Sequence, residues 1–138
     1  MGQGTTASTA PVEVKVCAEF GQLPVLRAVA ETIAVLADFN LDDVSDIKLA
    51  VDEVCSQLIK GAVGGAELVC TFRVSGLTLE ATARTDTVTD TVPDERGFGW
   101  HVLQTLTDTI TVDRRPPEHD TTGHRTTIVF TKTAGGDA

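Results

Sequence analysis

At 138 residues, 41% of them hydrophobic, the chain is long enough to close one ordinary core and too short to give a second domain much room. Aromatic residues make up only 4%, so the core must be aliphatic, and a net charge of -9 opposes attraction to the phosphates of nucleic acid. No apolar run approaches the roughly 18 residues of a membrane span, and Cys17, Cys55 and Cys70 have no metal-ligand spacing, so they read as free thiols of a reducing cytosol.

The chain up to Ala10 is small and polar and reads as a disordered tail. V-E-V-K-V, from Val12 toward Ala18, alternates with period two and predicts a strand with Val12, Val14 and Val16 inward. Leu23, Leu26, Ala30, Ile33 and Ala37 recur at three- and four-residue steps. They predict an amphipathic helix with Pro24 in its first turn, ending near Asp38 or Phe39. Asn40 is the strongest helix start: its side chain can accept a free backbone amide, and Asp42 and Asp43 complement the positive end of the dipole. The stripe Val44, Ile47, Val51, Val54, Cys55, Leu58 carries this helix from about Leu41 to Lys60, where the glycines 61–65 break it.

Glu67 to Val74 and Leu77 to Thr85 read as two strands of a hairpin turning around Ser75-Gly76. Thr85 to Arg96 is polar, carries Pro93 and lacks either period, so it reads as a mobile loop. Gly97 to Leu106 reads as a short glycine-initiated helix. Thr109 to Asp113 and Arg125 to Lys132 read as final strands, joined by the Pro- and His-containing segment from Arg114 to His124. The order predicts an α+β two-layer sandwich: one domain over 11–133, helices on one face of a mixed, largely antiparallel sheet, with tails at 1–10 and 134–138.

Glu53 and Gln57 lie one helical turn apart, nearly opposite the apolar stripe, on a face shared with Asp46 and Lys60. A carboxylate and an amide at this spacing can orient an attacking hydroxyl and help hold a Mg²⁺ ion that bridges phosphates, although spacing alone favours a solvated helix face. Gly97-Phe98-Gly99 can bring backbone amides close to a phosphate with the dipole assisting, and is equally an ordinary loop-to-helix junction. His101, His119 and His124 read as ordinary residues.

These segments together carry a resemblance. L-D-D-V-S-D-I-K-L-A-V-D-E-V-C-S-Q-L-I-K is similar to the nucleotide-box helix of the anti-sigma-factor serine kinases, close to D-L-K-I-A-V-x-E-A-x-x-N. G-F-G-W-H-V-L-Q-T-L-T-D resembles their G-x-G-L-x-L-I-x-x-L-x-D phosphate box, and R-T-T-I-V-F-T-K their terminal G-T-x-V-x-L-x-K strand. The resemblance spans nearly the whole chain, in order, and points to the RsbW type of actinobacterial anti-sigma factor, within the GHKL ATPases of Bergerat fold. It implies Glu53 as catalytic residue, Gln57 as Mg²⁺ and cofactor ligand, and Gly97, Gly99 and Thr126 as ATP-binding residues. Arg27 falls on an arginine that contacts the sigma factor or the antagonist.

The departures from the family pattern bear on mechanism. The D-x-G-x-G box, whose aspartate accepts from the adenine amino group, should follow the second hairpin strand, where this chain reads A-T-A-R-T-D-T-V-T-D. Thr85 takes the aspartate position, Thr87 the glycine, and Asp86 is one residue off, on the other face of a strand. Arg125 replaces the glycine before Thr126 and is expected to crowd a base, while Gln57 is one methylene longer than the family's Asn. The resemblance therefore implies a cytoplasmic, homodimeric anti-sigma factor of the stress response with a degenerate ATP site. It would sequester a sigma factor, be released by an anti-anti-sigma factor, and make no direct contact with DNA. The alternative it implies is an active serine-protein kinase that phosphorylates the antagonist using ATP and Mg²⁺.

Overall fold

The computed structural model describes residues 10–118 and 122–135. Strand β1 (Val12–Cys17) leads through a single 3-10 turn (Phe20–Gln22) into helix α1 (Leu23–Leu36), followed by helix α2 (Leu41–Lys60). Strands β2 (Glu67–Ser75) and β3 (Thr78–Thr87), helix α3 (Phe98–Leu106) and strands β4 (Thr109–Arg115) and β5 (His124–Thr133) complete the order. The five strands form one sheet, β1-β2-β3-β5-β4, and every pairing is antiparallel, so the sheet is not mixed.

Helix α2 has the predicted bounds because both of its ends are chemically marked. The Asn40 side chain accepts the Asp43 amide at 2.8 Å, with Asp42 and Asp43 in the first turn and Lys60 in the last, each sign on the favourable end of the dipole. Helix α1 stops two residues earlier than its periodicity predicts. Asp38 takes φ 65, and the amides of Asp38 and Phe39 turn back onto the carbonyls of Val35 and Ala34, the double bond of a Schellman end. The β2–β3 hairpin turns through Gly76, whose φ of 60 suits the first central residue of a II′ turn.

The core lies between the helices and one face of the sheet. Leu26, Ala30 and Ala34, at four-residue steps on α1, are fully buried, and two alanines in this stripe let α1 approach α2 closely. From α2 come Ile47, Val51, Val54 and Leu58, and from the strands Leu68, Phe72, Leu79, Ile128 and Phe130, with Trp100 and Leu103 of α3 closing the far end. Burying one such leucine or isoleucine contributes about 1.5–3 kcal/mol relative to exposure. Val12, Val14 and Val16 face this side, paired with Phe72, Cys70 and Leu68, but β1 is an edge strand and Val12 remains exposed.

Strand boundaries differ from the sequence reading by one or two residues. Strand β3 continues past Thr85 to Thr87, so the loop begins at Val88; β4 continues through Arg114 and Arg115; and β5 runs from His124 to Thr133. The tail read from 134 is tied down at its start, where the Ala134 amide donates to the Leu77 carbonyl at 2.7 Å and the Gly135 amide to Asp43 Oδ2 at 2.8 Å. The tail residues 1–9 and 136–138, and His119, lie outside the described residues; His101 sits exposed on α3 and His124 opens β5.

Candidate nucleotide-type site and partner surface

The second half of α2 brings the predicted acid and amide together. The Gln57 amide donates to Glu53 Oε2 at 2.9 Å, across one helical turn, and both side chains are half-buried. They are not a solvated face, because α3 lies on them. A Cβ built on Gly99 would overlap the Glu53 carboxylate and stand 2.6 Å from Gln57 Nε2, so with these two side chains as they lie the glycine lets the backbone of α3 come close against them. Gly97 caps α3 without a side-chain bond, leaving the first-turn amides of α3 directed out of the helix beside Glu53, with the positive end of the dipole. Of the neighbours predicted on this face, Lys60 is exposed, whereas Asp46 accepts from Lys132 Nζ of β5 at 3.2 Å. Lys132 also donates to the Leu106 carbonyl and lies 3.9 Å from Asp43, so it fastens β5 to α2 and α3.

The other end of the site lies beyond the C-terminus of α2. Ala62 bridges to Thr87, and the amides of Val63 and Val88 bond Asp86 and Gly61 carbonyls, so the end of β3 is stitched to the chain leaving α2. At 1.5 Å per residue this lies about 12 Å along the helix from Glu53. Thr85 and Thr126 are register partners, as their placement at one end of the site requires. Their hydroxyls are already engaged: Thr85 donates to the Glu67 carbonyl at 2.8 Å, and Thr87 pairs with Thr126 at 2.9 Å and reaches the Thr89 carbonyl at 2.7 Å. Thr87 and Thr126 are 0% exposed. Each hydroxyl has one proton, so with Thr87 donating to Thr89 and Thr126 donating to Thr87, neither retains a donor for a base.

Asp86 is on the opposite face of the sheet, as its one-residue offset predicts. Arg125 is there as well, its Nε 3.0 Å from Asp86 Oδ1. The expected crowding of a base by the Arg125 side chain is therefore corrected: successive strand residues point to opposite faces, and this guanidinium leaves the site on the far side of the sheet. That far side carries a polar groove of about 360 Å³ between arginines 84, 115 and 125 and acids 86, 113 and 118, sharing no residue with the candidate site.

The loop between β3 and α3 lies over the middle of the site. Val92 fills the space where a side chain on Gly61 would stand, and Gln57, Lys60, Gly61, Val92 and Pro93 line a cleft of about 280 Å³. Arg114 holds the loop there. It donates from Nε to the Val92 carbonyl at 3.0 Å and from an outer nitrogen to the Pro93 carbonyl at 2.8 Å, and pairs with Glu95 at 3.1 Å. Sequence reading missed this residue by ending β4 at Asp113; continued alternation from Ile110 and Val112 would have turned Arg114 to the helix-bearing face. Asp52 was missed too. Arg27 of α1 is ion-paired with it at 3.0 Å, across the seam between α1 and α2, with 43% of the arginine side chain still exposed.

Chemically, the Glu53 end holds a carboxylate and an amide beside the first turn of α3, whose amides carry no side-chain cap, groups of the kind that handle phosphate. The Thr85–Thr126 end does not fit an adenine read by a carboxylate, because Asp86 faces the other side of the sheet, Thr85 bonds the Glu67 carbonyl, and Thr87 and Thr126 bond each other. Among the described residues no cluster of acids, histidines and cysteines is arranged to hold a metal ion, and no helix is long and apolar enough to cross a membrane.

Three helices on one face of a five-stranded antiparallel sheet, with an acid–amide pair on the longest helix set against a glycine-opened helix, define a GHKL-type α+β sandwich, the Bergerat fold. No family model matches the chain. Comparison with known proteins finds the anti-sigma-F factor RsbW of two strains of Mycobacterium tuberculosis, each 36% identical over 120 residues, which cover 84% of this chain and 70% of the relative. The chain belongs to the RsbW family of anti-sigma factors.

Proposed function

We propose that this protein is an anti-sigma factor: it binds and sequesters an alternative, stress-type sigma factor, an anti-anti-sigma protein releases it, and its ATP site is degenerate. The observation that carries this reading is the 36% identity to anti-sigma-F factors along 84% of the chain. Sequestration needs a surface and not a turnover site, which agrees with Thr85, where the family places its adenine-reading aspartate, giving its hydroxyl to the Glu67 carbonyl while Thr87 and Thr126 bond each other. Arg27 is the proposed partner contact. Its guanidinium is held by Asp52 across the α1–α2 seam and is still partly exposed, a fixed cation of the kind that suits a protein interface. A homodimer is part of the proposal, resting on resemblance to the family. The test is co-elution of the purified chain with purified candidate sigma factors, followed by displacement with the antagonist; failure to retain any of them removes the reading.

A second reading, a serine-protein kinase acting on the antagonist, is favoured by one observation, the Glu53–Gln57 pair directly beneath Gly99. Glu53 would take up the proton of the substrate hydroxyl, Gln57 would be the metal ligand, and Gly97 and Gly99 would leave room for phosphate beside the helix amides. Thr126 would lie against the base. Phosphate transfer to the antagonist that disappears in Glu53→Ala would establish this activity; absence of transfer leaves sequestration alone.

A further inference from the structure

Two of the three cysteines meet across the core. Cys55 is on the inner face of α2 and Cys70 on the inner face of β2, and their sulfur atoms are 3.6 Å apart. Both are almost completely buried, at 1% and 2% exposure, whereas Cys17 is exposed on β1. Nothing in the linear sequence announces the pair, since the two positions lie 15 residues apart on different elements. Val51, Phe72, Ala81 and Phe130 surround them, together with a small cavity of about 10 Å³ bounded by both cysteines. A disulfide holds its sulfurs about 2.05 Å apart, so bonding would need them to close by about 1.5 Å. Rotation of two short side chains beside a cavity can supply that movement.

We propose that Cys55 and Cys70 form a reversible, peroxide-driven disulfide that fastens α2 to the sheet. One of the two thiols gives up its proton and attacks one peroxide oxygen as a thiolate, the O–O bond breaks, and the departing hydroxide takes up that proton and leaves as water; the attacking cysteine is now a sulfenic acid. The other cysteine, its sulfur already in contact, then attacks that sulfur, the S–O bond breaks, and the oxygen leaves as a second water with the second thiol's proton. Two thiols and one hydrogen peroxide thus become one disulfide and two waters. Both sulfurs are shielded, so the reaction is slow and favours a small oxidant over a bulky disulfide. Cys55 is two residues from both Glu53 and Gln57, so the crosslink restrains the part of α2 that carries them.

The test uses the purified full chain. It is reduced, exposed to hydrogen peroxide, unfolded and alkylated, and its free thiols are counted by intact mass. The proposal expects the count to fall from three to one, the survivor to be Cys17, a mapped peptide pair to join Cys55 to Cys70, and a dithiol to restore all three. The oxidised chain should also melt at a higher temperature, because the crosslink restricts the unfolded chain. Cys17→Ser should leave the crosslink intact, and Cys55→Ala should leave a sulfenic acid on Cys70 that dimedone captures. The wild-type thiol count decides the matter even if Cys55→Ala does not fold. Cys55 and Cys70 remaining alkylatable while Cys17 is oxidised, or a Cys17-linked dimer as the sole product, would overturn the proposal.

Discussion

The two ends of the candidate site differ in how their polar groups are satisfied. At the Glu53 end the side chains suited to phosphate chemistry remain, and a glycine keeps the backbone of α3 in contact with them. At the Thr85–Thr126 end the position of a base-reading carboxylate is held by threonines whose hydroxyls bond one another and the backbone. The first end is conformationally tight but chemically equipped; the second is chemically satisfied without a ligand. Buried polar groups are costly unless bonded, and these threonine hydroxyls are bonded within the protein, to one another and to backbone carbonyls.

The largest effect expected from breaking this contrast comes at Thr87. Thr87→Val keeps the shape and removes the hydroxyl that joins Thr89 and Thr126, for an expected loss of about 1–3 kcal/mol. A neutral result would show that these hydroxyls are satisfied by water and that the end is open. At the opposite end, Gly99→Ala brings a methyl group against the ends of Glu53 and Gln57, which can swing aside, and alanine's better helix propensity offsets the cost, so stability in urea denaturation should change by less than about 1 kcal/mol while the Glu53–Gln57 hydrogen bond is displaced. A loss well above that would mean that Glu53 and Gln57 cannot move away from α3.

The loop between the two ends offers a smaller effect. Arg114→Gln removes the bonds to the Val92 and Pro93 carbonyls and should speed amide exchange and proteolysis across residues 88–97, with little change in global unfolding. Unchanged exchange there would show that Val92 packing alone holds the loop. The smallest effect on stability belongs to Glu53→Gln, which keeps the volume and the bond to Gln57 and should shift stability by no more than about 0.5 kcal/mol while removing any phosphate transfer.

Sequence reading resolved the elements whose signals are apolar or capping. Helix α2 ran to its predicted ends because Asn40 and Gly61 mark them, and the sandwich followed from the order of elements. It failed where the informative residues are polar. The end of β3 alternates buried threonines with Arg84 and Asp86, a period of two that hydrophobicity does not register, so the sequence reading ends the strand at Thr85 and leaves Thr87 to the loop. Of the candidate site, the proximity of Glu53, Gln57 and Gly99 was legible from helical spacing and resemblance together. The Arg27–Asp52 pair, the Arg114 clamp and the Cys55–Cys70 contact were not, since each joins elements whose separation is set by packing and by no local pattern.

The account is tested most directly by the affinity of the purified chain for its sigma factor, titrated with and without saturating ATP and Mg²⁺. A protein that works through its surface, with the base end of its site filled by its own threonines, should form the complex in both conditions with affinities within about threefold of each other. No complex with any sigma factor, or an affinity that changes by more than about tenfold with nucleotide, would contradict it.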